Sequence, residues 1–300
     1  MLQLKTAGYI ALDNLRKKLT FPPLWDTQEE LESAVNRYHA AFLDERFSIS
    51  KKLGGFFLVS ELIDRSVRTE EEEHMDSPSL SAEKKLGLIR ALDNMNNMLL
   101  LYSRYISIVE PSIQDLARNR KHPVKILELA SGAGGLAFAI AERVKQSSLP
   151  VAITGSDIVP EYVNYCNQTA GKQGLPVEFR TINAFAIDEL DDRSFDIVLI
   201  SQSMHHFSPG QLARIIEQSQ LQGASLFLGL DGHRGLDLLV GVPLFAALQR
   251  SSILMLDGYT SARKFYSEPE LDLIAEIATG SNRHRIDFFW PLSVLRVPFV

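Results

Sequence analysis

The sequence predicts an α/β fold: a largely parallel sheet covered by helices, preceded by a helical region. Three observations predict it. An apolar run, Ile126 to Leu129, feeds a small-residue turn that opens into a helix-period pattern ending near Val144. From Val124 onward, strand-like and helix-like stretches alternate. The chain then closes on two strand-like runs, Arg285–Trp290 and Ser293–Phe299, which flank a proline and read as a hairpin.

Residues 1–75 read as helical. Thr27-Gln28-Glu29-Glu30 has the form of a capping box, and Leu31, Val35, Tyr38 and Phe42 follow at helical spacing. Leu53-Gly54-Gly55 marks a turn into a further apolar segment. The acidic run Glu70–Glu73, with Met75-Asp76-Ser77-Pro78-Ser79 behind it, reads as a solvated linker. From Ser81 to about Tyr105, Leu86, Ile89, Leu92, Met95, Leu99 and Tyr102 give one helix an apolar face, and Pro111 is expected to end it. A short helix then ends in the basic run Arg118-Asn119-Arg120-Lys121. The expected division is a helical region at 1–120, covering a site or pairing two copies as a homodimer, and an α/β domain at 121–300.

Within that domain, strands are expected at 124–130, 151–156, 176–182, 195–201 and 224–230. Helices fill the gaps at about 134–146, 160–173 and 209–220; an apolar insertion covers 234–255, and another helix starts after Ser267-Glu268-Pro269.

Composition narrows the function classes. With 45% hydrophobic and 23% charged residues among 300, the chain has material for a sizeable core. A net charge of −6 argues against a nucleic-acid partner, which requires a basic surface. Cys166 is the only cysteine, which excludes an internal disulfide or a cysteine-built metal site and suits a cytoplasmic setting. Lys5 precedes only a short apolar patch, and Asp13, Arg16, Lys17 and Lys18 follow, so no export signal is read there. Leu236–Leu248 is apolar but is interrupted by Asp237 and Pro243 and is too short for a bilayer, so no membrane insertion is expected.

The glycine turn after the first strand lets backbone N–H groups approach a ligand, and the helix N-terminus behind it favours negative charge. Glu128 beside it suits a ligand whose amino-acid end carries an ammonium group. Glu128-Leu129-Ala130-Ser131-Gly132-Ala133-Gly134 resembles motif I, acid-x-Gly-x-Gly-x-Gly, of the class I S-adenosylmethionine (SAM) dependent methyltransferases. Ala130 stands where that family has its first glycine, and its methyl group is accommodated at a negative φ. Gly132-x-Gly134-x-x-Ala137 also fits the dinucleotide fingerprint, so the loop alone leaves an NAD(P)-dependent oxidoreductase open. The order of units favours the methyltransferases. Five alternating units and a hairpin match their Rossmann-like seven-stranded sheet with an antiparallel last strand, and a dinucleotide domain lacks the hairpin.

The resemblance implies a role for each strand end. Ser131, Gly132 and Gly134 would lie against the cofactor with Glu128 and Ala130. Asp157 would accept from both ribose hydroxyls, besides capping the helix at Pro160, and Ile158 would pack on the adenine. Asn183, where the family often has aspartate, would accept from the adenine amino group, and Ala184 would give its N–H to the ring. Ser201 joins this set at the end of the fourth strand. Ser194-Phe195-Asp196 through His205-His206-Phe207 is similar to the "FDxVxxxxxxHHF" segment of small-molecule methyltransferases. One of His205 and His206, neutral with a pKa of about 6.5, would take a proton from an acceptor hydroxyl. Sequence-adjacent histidines seldom share one ion, so no metal is expected. The apolar insertion implies an aromatic or lipophilic small-molecule acceptor reacting at a hydroxyl or carbon. Asp231, His233 and Arg234 either touch that acceptor or cap the next helix; Tyr102 and Arg104 either pack or reach the cofactor carboxylate. Ala130 and Asn183 also leave room for a non-catalytic SAM-binding protein.

Overall fold

The computed structural model describes residues 2–118, 120–147, 150–190, 195–248 and 251–299. Asn119 of the basic run, Ser194 at the head of the fourth-strand motif, and residues 249 and 250 of the insertion lie outside them. The helical region holds α1 (Leu2–Lys18), α2 (Gln28–Leu53), α3 (Gly55–Val67), α4 (Ala82–Met98) and α5 (Leu101–Arg118). The alternating region runs β1 (Val124–Leu129), α6 (Gly135–Ser147), β2 (Val151–Asp157), α7 (Pro160–Gln173), β3 (Val177–Thr181), β4 (Ile197–Ser201), α8 (Pro209–Leu221) and β5 (Leu226–Gly232). The insertion forms α9 (Leu236–Ala247) and α10 (Ser252–Lys264); α11 (Glu268–Thr279), β6 (Arg285–Phe289) and β7 (Leu292–Pro298) close the chain.

The seven strands form one sheet in the order β3-β2-β1-β4-β5-β7-β6. β7 runs antiparallel to both neighbours, β5 and β6, and the other pairings are parallel. The central strands β1 and β4 are mostly apolar, Lys125, Glu128 and Ser201 aside, because both sheet faces are covered, as parallel sheets require. Successive side chains alternate between faces. Leu127, Leu129 and Ile200 join a core with Leu12, Leu31, Val35 and Phe42 of α1 and α2 and with Ile274 of α11. Ile126 and Leu199 face Tyr105, Ile108 and Ile113 of α5 and Leu136 and Ile140 of α6. The helical region thus supplies both faces.

Two helix boundaries differ from expectation. The helix expected over 81–105 is two helices, α4 and α5, broken at Leu99-Leu100, where Leu100 takes φ +55°. Pro111 does not end α5 but lies inside it. Burial of Ile108, Val109 and Ile113 on one face holds the helix together across the missing N–H. The Thr27 cap forms, its Oγ1 accepting from Glu30 N at 3.2 Å, but the Glu30 carboxylate accepts from Asp26 N rather than from Thr27.

A buried ionic network ties the helical region to the sheet. Arg46 of α2 is fully buried and donates to Glu61 (2.8 Å) and to Asp64 of α3. Asp64 also accepts from Arg68 (2.9 Å) and from Arg234, just beyond β5. Arg68 makes a bidentate pair with Glu270 of α11 at 2.8 and 3.1 Å. Arg234 further donates to the carbonyls of Arg263 and Phe265 at 2.8 and 2.9 Å. Arg234 thus turns Nε and Nη1 to partners inside the protein and does not line the cavity described below. Among the described residues no helix is long and apolar enough to cross a membrane.

Candidate active site

The carboxyl ends of β1, β2, β4 and β5 face one side of the sheet, where α4, α9 and α10 arch over them. Between lies a cavity of about 480 Å³ lined by Glu128, Ala130, Ser131, Gly132, Ser201, His205 and His206. Ile89, Leu92, Val242, Phe245, Leu254 and Phe265 give it apolar walls. Asp157, Ile158, Asn183 and Ala184 sit outside that cavity, along the neighbouring strand ends β2 and β3. The expected residues therefore divide in two: one set around the enclosed space, the other on its open flank.

Glu128 is the buried charge of the site, with 1% of its surface exposed. The Ser201 hydroxyl donates to Oε1 at 2.7 Å, while Oε2 has no hydrogen-bond partner among the described residues. Burial pushes the carboxyl up to about 7; the Ser201 hydroxyl and the Ala137 backbone N–H oppose the shift and Asp157 adds to it. A buried acceptor left unpaired costs free energy. An ammonium group entering from the cavity meets that unmet demand, so the donor set fits a ligand with a charged amine.

The loop after β1 is wound by three left-handed residues: Ala130 at φ +51°, Gly132 at +53° and Gly134 at +79°. The negative φ expected for Ala130 is thus corrected. Its carbonyl turn needs the conformation a glycine adopts freely, at about 1–2 kcal/mol for an L side chain. Ala130→Gly is expected to raise stability, by about 0.5–1 kcal/mol once glycine's greater unfolded-state freedom is subtracted; thermal unfolding measures it. Gly134 must be glycine for a second reason: a Cβ there would lie 2.7 Å from the Phe179 ring.

Asp157 holds this loop from the side, accepting from Gly132 N at 2.9 Å and from Val159 N at 3.0 Å. Burial raises its pKa, and these amides oppose the rise. Ile158 is 60% exposed on the rim. Asn183 is exposed and turns its Oδ1 to Phe185 N at 3.0 Å, while Ala184 packs partly buried beside the core.

At the other end of the cavity, a 3-10 turn over Met204–His206 presents both histidines. Asp231 Oδ2, at the end of β5, accepts from the His205 backbone N at 2.9 Å and pairs with Nδ1 at 2.8 Å. Glu73 faces the same ring, 3.4 Å from Nε2, and lies 3.9 Å from Nε2 of His206. Burial alone would depress His205, but Asp231 and Glu73 outweigh it and push the ring up to about 10. Two carboxylates flanking one ring favour its protonated form while nothing else occupies Nε2. His233 bonds Pro291 O and Asp237, both at 3.0 Å, and so positions the hairpin rather than facing the cavity.

Sequence reasoning missed four residues here. Glu73, placed in a solvated linker, is 4% exposed and accepts from Ser261 at 2.7 Å. Buried Met75 behind it was the available signal that the run turns inward. Asp93 and Asn96 of α4 and Gln202 form a polar bridge over the glycine loop: Tyr102 donates to Asp93 at 2.6 Å, and Asn96 donates to Gln202 at 3.0 Å. Gln202 takes φ +54°, which nothing in the sequence signals. The bridge sits so close that a Cβ on Gly135, the first residue of α6, would fall 2.1 Å from the Tyr102 hydroxyl.

Residues 126–220 match a family described as a methyltransferase domain. A demethylmenaquinone methyltransferase of Deinococcus radiodurans is 33% identical over 86 residues, which are 29% of this chain and 34% of that protein. One of Thermus thermophilus is 31% identical over 101 residues, 32% of this chain and 44% of that protein. The chain thus spans less than half the length of these curated relatives. In fold it is similar to the plantazolicin methyltransferase BpumL in complex with SAH, with a TM-score of 0.54 at 16% identity, covering 73% of this chain and 91% of that one. A putative O-methyltransferase from Nostoc punctiforme PCC 73102 superposes with a TM-score of 0.53 at 18% identity, covering 84% and 72%. Sheet order, the single antiparallel strand, the wound loop behind Glu128 and the match over β1 to α8 coincide in one region. Residues 126–220 are thus similar to a methyltransferase domain, set in a seven-stranded sheet of the order β3-β2-β1-β4-β5-β7-β6.

Proposed function

We propose that this chain transfers the methyl group of SAM to a small, lipophilic acceptor. The observation that carries the reading is Glu128: a buried carboxylate with one free oxygen, set behind a left-handed loop and opening onto an apolar cavity. When bound, SAM supplies a methyl group already activated by a sulfonium. Glu128, steadied by Ser201, holds the ammonium end, and the loop at Ala130, Ser131, Gly132 and Gly134 lies along the methionine. Asp157 accepts from the ribose, Ile158 covers one adenine face, and Asn183 with Ala184 meets the adenine edge.

What remains for the protein is alignment of nucleophile and methyl group, which can supply about 7–11 kcal/mol of the barrier. The walls of α4, α9 and α10 exclude water from a site where charge disappears on reaction. Their apolar lining favours an aromatic or lipophilic acceptor with a hydroxyl or carbon nucleophile. The demethylmenaquinone methyltransferases among the relatives are consistent with that class. His205 and His206 border the acceptor end. The helical region acts as the cap, through the Asp93–Tyr102 contact with the glycine loop. Exposed Phe56, Val59 and Leu62 of α3 offer a face for a second copy, and light scattering is expected to report a dimer that Val59→Glu dissociates. A reducing, cytoplasmic setting suits the single buried Cys166.

The test is incubation with SAM and a panel of phenolic, enolic and quinol acceptors, read by mass spectrometry. A methyl-for-hydrogen mass gain on at least one acceptor is expected. SAM binding with no turnover across the panel supports a binding protein instead.

A further inference from the structure

We propose that Glu73, His205 and His206 form a divalent transition-metal site at the acceptor end of the cavity. Their ligand atoms all lie within 4.8 Å of one another. Glu73 Oε1 is 3.4 Å from His205 Nε2, and Oε2 is 3.9 Å from His206 Nε2. Two ligands at about 2.0–2.2 Å from one ion stand roughly 3 Å apart, so closure onto a metal needs only small side-chain movement. The adjacency of the histidines does not forbid this, because the 3-10 turn sets their ring centroids 4.4 Å apart with 35° between the planes.

The surroundings match what a metal site requires beyond its ligands. Asp231 takes Nδ1 of His205 and its backbone N–H, which fixes the ring and leaves Nε2 to point elsewhere. That Nε2 is buried and has no hydrogen-bond partner among the described residues. Ser261 orients the Glu73 carboxylate by donating at 2.7 Å. All three ligands line the cavity, so the remaining coordination positions face the space where an acceptor would sit. His206 has a weaker alternative partner in Asp76 at 3.5 Å, which leaves its ring free to turn.

Two imidazoles and one carboxylate with open positions suit zinc, manganese(II), cobalt(II) or iron(II) rather than calcium or magnesium. The site's role, which rests on the methyl-transfer reading, is to bind the acceptor oxygen. The acceptor O–H loses its proton to solvent as oxygen binds the ion. The oxygen then forms the new bond to the methyl carbon while the carbon–sulfur bond breaks and its electron pair stays on sulfur. The metal keeps its oxidation state throughout.

The test uses the full chain stripped with chelator and titrated by calorimetry with zinc, manganese and cobalt chlorides at neutral pH, with cobalt also followed by its visible absorption. One equivalent is expected to bind, and the affinity is expected to fall by about tenfold or more in Glu73→Gln and in His206→Gln. Asp231→Asn is expected to weaken binding less than either. S-adenosylhomocysteine (SAH) titrated into each variant reports whether the fold and the donor site survive. Failure of wild type to take up any of the three ions, or uptake undiminished in His206→Gln while SAH still binds, overturns the site. Loss of SAH binding by wild type would instead overturn the methyl-donor reading.

Discussion

Glu128→Gln is expected to unfold at a higher temperature than the wild type at pH 8 while losing most of its affinity for SAM. The opposed signs come from one group. Burial raises the Glu128 carboxyl from 4.5 to about 7, so between those values the native state holds a proton that the unfolded chain has released. Native protein then binds more protons than unfolded, and stability falls as pH rises through that window. At about 1.4 kcal/mol per pH unit the loss reaches roughly 3 kcal/mol above pH 7. Glutamine keeps the acceptor for the Ser201 hydroxyl and never ionises, so the difference is expected to vanish below about pH 4.5. Thermal scans across pH check this.

Binding runs the other way. An ammonium group requires the ionised carboxylate, so wild-type affinity is expected to rise from pH 6 to pH 7 and the variant's to stay flat. A charged hydrogen bond contributes about 1.5–3 kcal/mol, which corresponds to a loss of roughly ten- to hundredfold in the variant.

Asp64→Asn carries the largest expected loss of stability. It leaves the guanidinium groups of Arg46, Arg68 and Arg234 around a neutral amide in the interior. Removing one partner of a buried ionic cluster costs about 3–5 kcal/mol, which urea unfolding would read directly. Burial alone would raise the Asp64 carboxyl, but Arg68, Arg234 and Arg46 outweigh that and hold it at about 2. A depressed carboxyl stabilises the fold above its unfolded value of 3.8, and that contribution is lost as pH falls towards about 2. The variant is therefore expected to lose part of the acid-denaturation slope between those values. Because Arg234 also grips the Phe265 carbonyl, the loosening extends to a wall of the cavity.

The strands were legible because β1 and β4 are covered on both faces and so appear as mostly apolar runs between turn residues. Strand-end logic likewise located Glu128, the glycine loop and Asp157, since each lies within a few residues of the strand that presents it. The break between α4 and α5 was not legible, because Leu100 adopts a left-handed conformation without a glycine or proline to announce it. Glu73, Asp93 and Gln202 were hidden for a different reason. Their roles arise from contacts with elements far along the chain, such as Glu73 with Ser261. The pairing of His205 with Asp231 likewise joins the ends of two neighbouring strands, a contact that no local pattern announces.

The most direct measurement is calorimetric titration of the full chain with SAM and with SAH near pH 7.5. One site of micromolar-range affinity for both ligands is expected, weakened in Glu128→Gln and in Asp157→Ala. Absence of binding by either ligand to folded wild-type protein would contradict the assignment of this cleft to a methyl donor.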